Sequence, residues 1–107
     1  MTNVARITTE VGVLVKFTAQ PGRGAELAEV LAAVAEEVSI EPGTLFWQVD
    51  RQADRPDVVF LYERYASPEA LDAHNNTELN ARTRIATGAL LGGAPEVFPL
   101  LPYAGIR

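Results

Sequence analysis

The chain reads as an α+β domain with an antiparallel four-stranded sheet of the ferredoxin-like, split β-α-β kind and its helices on one face. Three observations carry this expectation. Four short runs rich in β-branched and aromatic residues are separated by proline, glycine and polar turns. One long amphipathic pattern at helical spacing stands between the first two runs, and two shorter ones stand between the last two. The length, 107 residues, leaves room for one core only. The predicted order is β-α-β-β-α-α-β.

Residues 1–11 stand outside this pattern as an N-terminal extension, and residues 12–107 form the single domain. The first strand is 12–19 (GVLVKFTA), closed by Pro21-Gly22. From Gly22 to Ile40, Leu27, Val30, Leu31, Val34 and Val38 recur at i, i+3, i+4, i+7 and i+11, while Glu26, Glu29, Glu36 and Glu37 take other faces. That spacing predicts a helix. Glu41-Pro42-Gly43 ends it, because the residue before proline avoids the helical region and glycine accepts a left-handed turn. Residues 44–50 (TLFWQVD) and 57–65 (DVVFLYERY) form a hairpin across the polar RQADRP. Ser67 caps a second helix with Pro68 at its first position, running to about Asn75. Thr77 caps a third helix to about Leu91, Gly92-Gly93 stops it, and the last strand lies around 96–102.

Alternation within the hairpin shows that both faces of the sheet are apolar. Val59, Leu61, Glu63 and Tyr65 share one face, and Val58, Phe60, Tyr62 and Arg64 share the other; in the partner strand Leu45, Trp47 and Val49 oppose Phe46 and Gln48. Helices on one side cover only one of these faces. The other needs a cover the chain does not contain, so a homodimer through the sheet faces is expected. The apolar Leu100-Leu101-Pro102-Tyr103 segment is expected to pack on the partner.

Composition excludes several functions. Nine basic against fourteen acidic residues give a net charge of −5, with Lys16 the sole lysine, so nucleic acid is not an expected partner. The chain has no cysteine, which removes disulfides, thiolate catalysis and zinc or iron–sulfur ligation by thiolates. The first ten residues lack a basic segment followed by an apolar one, and no run is long and apolar enough for a membrane span; the expectation is a cytoplasmic protein without an anchor. Gly22-Arg23-Gly24 does not extend to a dinucleotide fingerprint, since position 27 is leucine. A single histidine cannot supply the two-histidine, one-carboxylate set of a non-haem iron site. The two serines, Ser39 and Ser67, sit at a helix end and a helix cap, which leaves no serine nucleophile.

Four pieces of sequence, in order and at matching spacing, resemble the antibiotic biosynthesis monooxygenase domain. They are the strand running into Gln20-Pro21-Gly22, the turn and strand Glu41-Pro42-Gly43-Thr44-Leu45-Phe46-Trp47, the strand Phe60-Leu61-Tyr62-Glu63-Arg64-Tyr65, and the helix from Ser67 to Thr77 that carries His74. The resemblance covers about residues 12–102. It implies a dimeric α+β barrel, in which two sheets pack face to face, and it favours the Leu61-Glu63-Tyr65 face as the one that meets the helices. The family's histidine motif, H-x-x-[ST]-x-H, is matched at His74 and Thr77 but has Leu79 at its second histidine.

The resemblance implies oxidation of a phenolic, quinol or polyketide-type aromatic by O2 with no metal, flavin or haem. Related domains degrade haem or cyclise polyketides. Haem-degrading relatives carry an asparagine where Val15 stands and a tryptophan near His74, and both are missing. Oxygenation driven by the substrate's own electrons needs one group to deprotonate a phenol, stabilisation of the anion, and a dry aromatic pocket. His74 is the candidate catalyst, since a histidine exchanges protons near neutral pH and its place three residues after Leu71 turns it toward the sheet. The opposing reading is a histidine satisfied within the core. Trp47 and Tyr65 are candidates to stack a planar substrate, or else core and interface residues. Glu63 is a candidate substrate ligand, or else the partner of an arginine such as Arg82 or Arg51. Arg82 and Arg84 are candidates to hold a phenolate. A non-catalytic dimer that binds a small ligand, a structural dimer and a polyketide cyclase are the alternatives.

Overall fold

A computed structural model describes residues 4–7 and 9–106. The elements are β1 (Val4–Arg6), β2 (Val11–Thr18), α1 (Gly24–Val38), β3 (Thr44–Gln52), β4 (Arg55–Tyr65), α2 (Pro68–Asn75), α3 (Glu78–Gly88), β5 (Glu96–Leu100) and β6 (Ala104–Ile106). The main sheet has the order β3-β4-β2-β5 with every pair antiparallel, which is the ferredoxin-like architecture expected. Two strands of three residues each add to that expectation. β1, inside the stretch read as an extension, pairs with β6 antiparallel, Val4 opposite Ile106. The apolar stretch 100–103 leads into β6, with Leu101 and Tyr103 exposed and the Arg6 guanidinium 5.5 Å from the Tyr103 ring centre.

Local chemistry places the helices. The Ser67 hydroxyl accepts the Ala70 N–H (3.1 Å) ahead of Pro68 in α2, and the Thr77 hydroxyl accepts the Asn80 N–H (3.0 Å) in α3. Arg23 gives α1 no side-chain cap. The cap comes instead from β4, where the Asp57 carboxylate accepts the backbone N–H groups of Gly22 (2.9 Å) and Gly24 (2.8 Å). Gly22 turns the chain with φ of 81°, a left-handed conformation that favours glycine. α3 ends at Gly88, short of Leu91, because the chain beyond it bonds to the end of β2. Gln20 N–H donates to Leu90 O, and Gly92 N–H donates to Thr18 O, both at 2.8 Å.

The core lies between α1 and the sheet, built from Val15, Phe17, Leu27, Leu31, Val59, Leu61 and Leu90. Burying a leucine such as Leu31 contributes roughly 2 kcal/mol. The helices meet the Val59-Leu61-Glu63-Tyr65 face, as expected from the resemblance. Leu45 departs from the expected alternation. The β3–β4 register shifts between Thr44 and Phe46, so Leu45 occupies a bulge and is 44% exposed instead of sharing the Trp47 face.

The opposite face carries Phe46 edge-on to Tyr62 (ring centres 5.5 Å apart), with Arg64 stacked over Phe46 and paired to Glu10 at 2.9 Å. Phe98 and Leu100 extend this face, 45% and 39% exposed. α1 lies across β3 and β4, whereas all five residues of β5 are exposed. The helices therefore roof one half of the inner face and leave a hollow over the other. Among the described residues no helix is long and apolar enough to cross a membrane.

Candidate active site

The hollow is a cleft of about 580 Å³ between the inner face of β2 and β5 and the helices α2 and α3. Its floor is apolar: Val13, Val15 and Phe17 from β2, Val97 and Pro99 from β5, and Leu61 from β4. Polar groups converge at one side of the cleft, where Trp47, Glu63 and His74 line the wall, while Arg84, Asn75, Asn80 and Thr83 come from the roof. An apolar cavity with a few convergent polar groups is the usual form of a small-molecule site.

His74, in the last turn of α2, is buried at 4% exposure. Its carbonyl accepts the Thr77 hydroxyl at 2.8 Å, which ties the helix end to the following cap. The ring sits between Trp47 and Tyr65, with centroid separations of 5.8 and 5.2 Å. Nδ1 lies 2.8 Å from Oε1 of Glu41, and the same oxygen accepts the Thr44 hydroxyl at 2.7 Å. A carboxylate oxygen only accepts, so Nδ1 carries a hydrogen toward Glu41. Nε2 points toward Glu63, 3.8 Å from its Oε1.

Glu63 Oε1 also accepts the Tyr65 hydroxyl. Burial pushes the Glu63 carboxyl above the usual carboxylate range, against the opposing pull of the Tyr65 hydrogen bond, His74 and Arg84. Burial, and then the Glu63 charge, push the Tyr65 phenol up, so it remains a hydrogen-bond donor. Trp47 is fixed by its indole N–H, which donates to Leu31 O at 3.0 Å in α1. The result is one connected chain of groups: Thr44, Glu41, His74, Glu63 and Tyr65.

Of the residues expected at a site, His74, Trp47 and Glu63 line the cleft together. Tyr65 is fully buried behind Glu63, where it orders that carboxyl and forms no wall. Arg82 is exposed and does not line the cleft; Arg84, two residues on, does. Neither Arg82 nor Arg51 is the structural partner of Glu63. Tyr65 and His74 take that place, and Arg51 Nε donates to Pro56 O at 2.8 Å. Glu41 and Thr44 were not among the expected site residues. The conjunction of an E-P-G turn with a lone histidine was the available signal. Among the described residues, no group of three or more histidine and acidic side chains is arranged to hold a metal ion.

Comparisons with known proteins agree with this architecture. The sequence profile described as "Antibiotic biosynthesis monooxygenase" matches residues 10–84. The chain is 30% identical over 96 residues to "Putative monooxygenase Rv0793" of Mycobacterium tuberculosis, covering 90% of this chain and 94% of the relative. The solved structure of that relative superposes with a TM-score of 0.80, at 29% identity over 88% of this chain and 95% of the other. A structure from Caulobacter crescentus, titled a putative antibiotic biosynthesis monooxygenase, gives a TM-score of 0.80 at 31% identity, covering 89% of this chain and 91% of that one.

Proposed function

The chain belongs to the antibiotic biosynthesis monooxygenase family, and from that membership and the cleft we propose that it oxidises a phenolic, quinol or polyketide-type aromatic with O2, using no metal, flavin or haem. The observation that carries the reading is the imidazole of His74 at the wall of an apolar cleft, its Nδ1 held by Glu41 and its Nε2 directed toward Glu63. A phenol bound in the cleft gives its O–H proton to Nε2, and the phenolate then passes an electron to O2. Recombination of the radical pair forms the C–O bond. For an anthrone-type substrate, oxidation of CH2 to C=O releases four electrons, one oxygen atom stays in the product and the other leaves as water. The substrate is thus the only reductant required.

The remaining groups have roles consistent with their positions. Trp47 and the apolar floor stack the planar rings. Glu63, hydrogen-bonded to Tyr65 and with its carboxyl pushed above the usual range by burial, meets a second substrate oxygen. Arg84 offsets phenolate charge from the roof. The uncovered outer face with Phe46, Tyr62, Phe98 and Leu100 supports a homodimer.

Oxygen uptake by the metal-free protein with a panel of anthrones and hydroquinones tests the proposal. One O2 consumed per anthrone oxidised is the expected result. Tight binding of a panel member with no uptake from any would overturn it in favour of a ligand-binding protein, and conversion without oxygen consumption would point to a cyclase.

A further inference from the structure

A second hollow of about 220 Å³ lies on the far side of His74, lined by Glu41, Pro42, Gly43, Thr44, Ala70, Ala73, His74 and Thr77. Of all the residues that line the two cavities, His74 is the one they share. The imidazole is therefore a partition. Its Nε2 edge faces Glu63, which with His74 lines the large cleft, and its Nδ1 edge is bonded to Glu41, whose side chain is 19% exposed and lines the outer hollow.

We propose that His74 and Glu41 carry protons across this partition, with Glu41 as the exit group that connects the cleft side of the ring to water in the outer hollow. This rests on the reading of His74 as the proton acceptor. A proton arriving on Nε2 from the substrate hydroxyl is matched by the Nδ1 proton leaving to Glu41 Oε1, 2.8 Å away. The imidazole remains neutral overall, and Glu41 passes the proton to water in the outer hollow. When the departing oxygen needs a proton, the transfer runs in reverse: Nε2 donates, Glu41 returns a proton to Nδ1, and no net proton is gained or lost.

Three features suit the arrangement to this use. Thr44 donates to Oε1 at 2.7 Å and keeps that oxygen aimed at Nδ1. The Thr77 hydroxyl on the His74 carbonyl, at 2.8 Å, holds the end of the helix in place. The indole of Trp47 and the phenol of Tyr65 flank the ring, so proton movement through it does not require the ring to swing into the cleft. Glu41 does not touch substrate. It is a positioning and proton-exit residue, and the charged groups that face the imidazole besides it are Glu63, and Arg84 through Glu63.

His74 is the only histidine of the chain, so histidine-labelled protein without an affinity tag gives one imidazole spin system in NMR. In the wild type, Nδ1 is expected to be the protonated nitrogen, with rapid exchange of its hydrogen with water. Glu41→Gln keeps an acceptor oxygen but cannot take the proton; the same tautomer with exchange slowed by about tenfold or more is expected. In turnover, Glu41→Gln should lower kcat by a similar factor with KM unchanged. Glu41→Ala should be rescued by formate, which fits the outer hollow. Exchange in Glu41→Gln as fast as in the wild type, or a folded Glu41→Ala that formate does not rescue in exchange or turnover, would overturn the relay. The NMR measurement requires no substrate, so slowed exchange in a protein that consumes no oxygen would leave the relay standing and remove only the assigned reaction.

Discussion

Gly24 and Asp57 are locked together across the junction of α1 and β4. The Gly24 N–H donates to Asp57 Oδ1 at 2.8 Å, and a Cβ placed on Gly24 would come within 2.3 Å of Pro56 O and 2.8 Å of Asp57 Oδ1. Gly24→Ala must displace backbone, and is expected to cost on the order of 1–3 kcal/mol, read as a lowered denaturation midpoint.

The same carboxylate makes stability depend on acid. The N–H groups of Gly22 and Gly24 hold the Asp57 carboxyl below its usual range. The folded state is therefore favoured wherever the carboxylate is ionised, above the unfolded value near 4, and that contribution is lost as pH falls through the lower folded value. Asp57→Asn should lower the melting temperature at pH 7 and approach wild-type behaviour at pH 3. An equal deficit at both pH values would refute the assignment.

Glu63 works in the opposite direction. Its folded value is raised by burial, so the unfolded chain ionises first as pH rises from about 4, and stability falls until the folded carboxyl has also ionised. Glu63→Gln keeps an oxygen that accepts the Tyr65 hydroxyl and removes the charge. A higher melting temperature than the wild type is expected at pH 8, with little difference at pH 4. Activity should fall in the same variant if Glu63 meets the substrate.

His74→Gln should leave the protein folded and lower oxygen uptake by roughly 10² to 10⁴. A purely packed histidine would lose stability instead, with turnover unchanged. Melting curves and oxygen-electrode rates on the same samples separate the two.

Trp47 is the only tryptophan and lines the cleft, so a planar aromatic ligand should quench its fluorescence on binding. Trp47→Phe loses the hydrogen bond to Leu31 O, at a cost of about 1 kcal/mol, and should raise KM more than it lowers kcat.

Phe98→Glu places a charge on the uncovered face of β5. It should convert a dimer into a species near the 11.6 kDa of one chain in light scattering. A wild-type protein that is already monomeric at micromolar concentration would remove the proposed association.

The parts legible in the sequence were those set by local chemistry. The spacing of Leu27, Leu31 and Val38, the caps at Ser67 and Thr77, and the alternation that groups Val59, Leu61, Glu63 and Tyr65 on one face each depend on residues a few positions apart. What escaped depends on partners far along the chain. Leu45 left its expected face because the β4 register imposes a bulge, and α1 is capped by a carboxylate from another element. β1 and β6 exist only through each other. His74 was found because it stands alone in composition; Glu41, 33 positions away, showed only as a turn that ends a helix. The choice of Arg84 over Arg82 for the cleft is a matter of helix rotation that no short pattern encodes.

β2 is central in the sheet, yet it comes early in the chain. One neighbour, β4, completes a compact unit with β3 and α1, but the other side waits for β5, where Val15 meets Val97. During synthesis the edge of β2 that pairs with β5 therefore stays open until nearly the whole polypeptide has emerged. Closure across so long a stretch of chain is a late event in folding, and the cleft is the last part of the molecule to be made. A nascent chain arrested before residue 96 would hold His74 and lack the strand that completes the cleft floor, an intermediate prone to pair with strands of its neighbours.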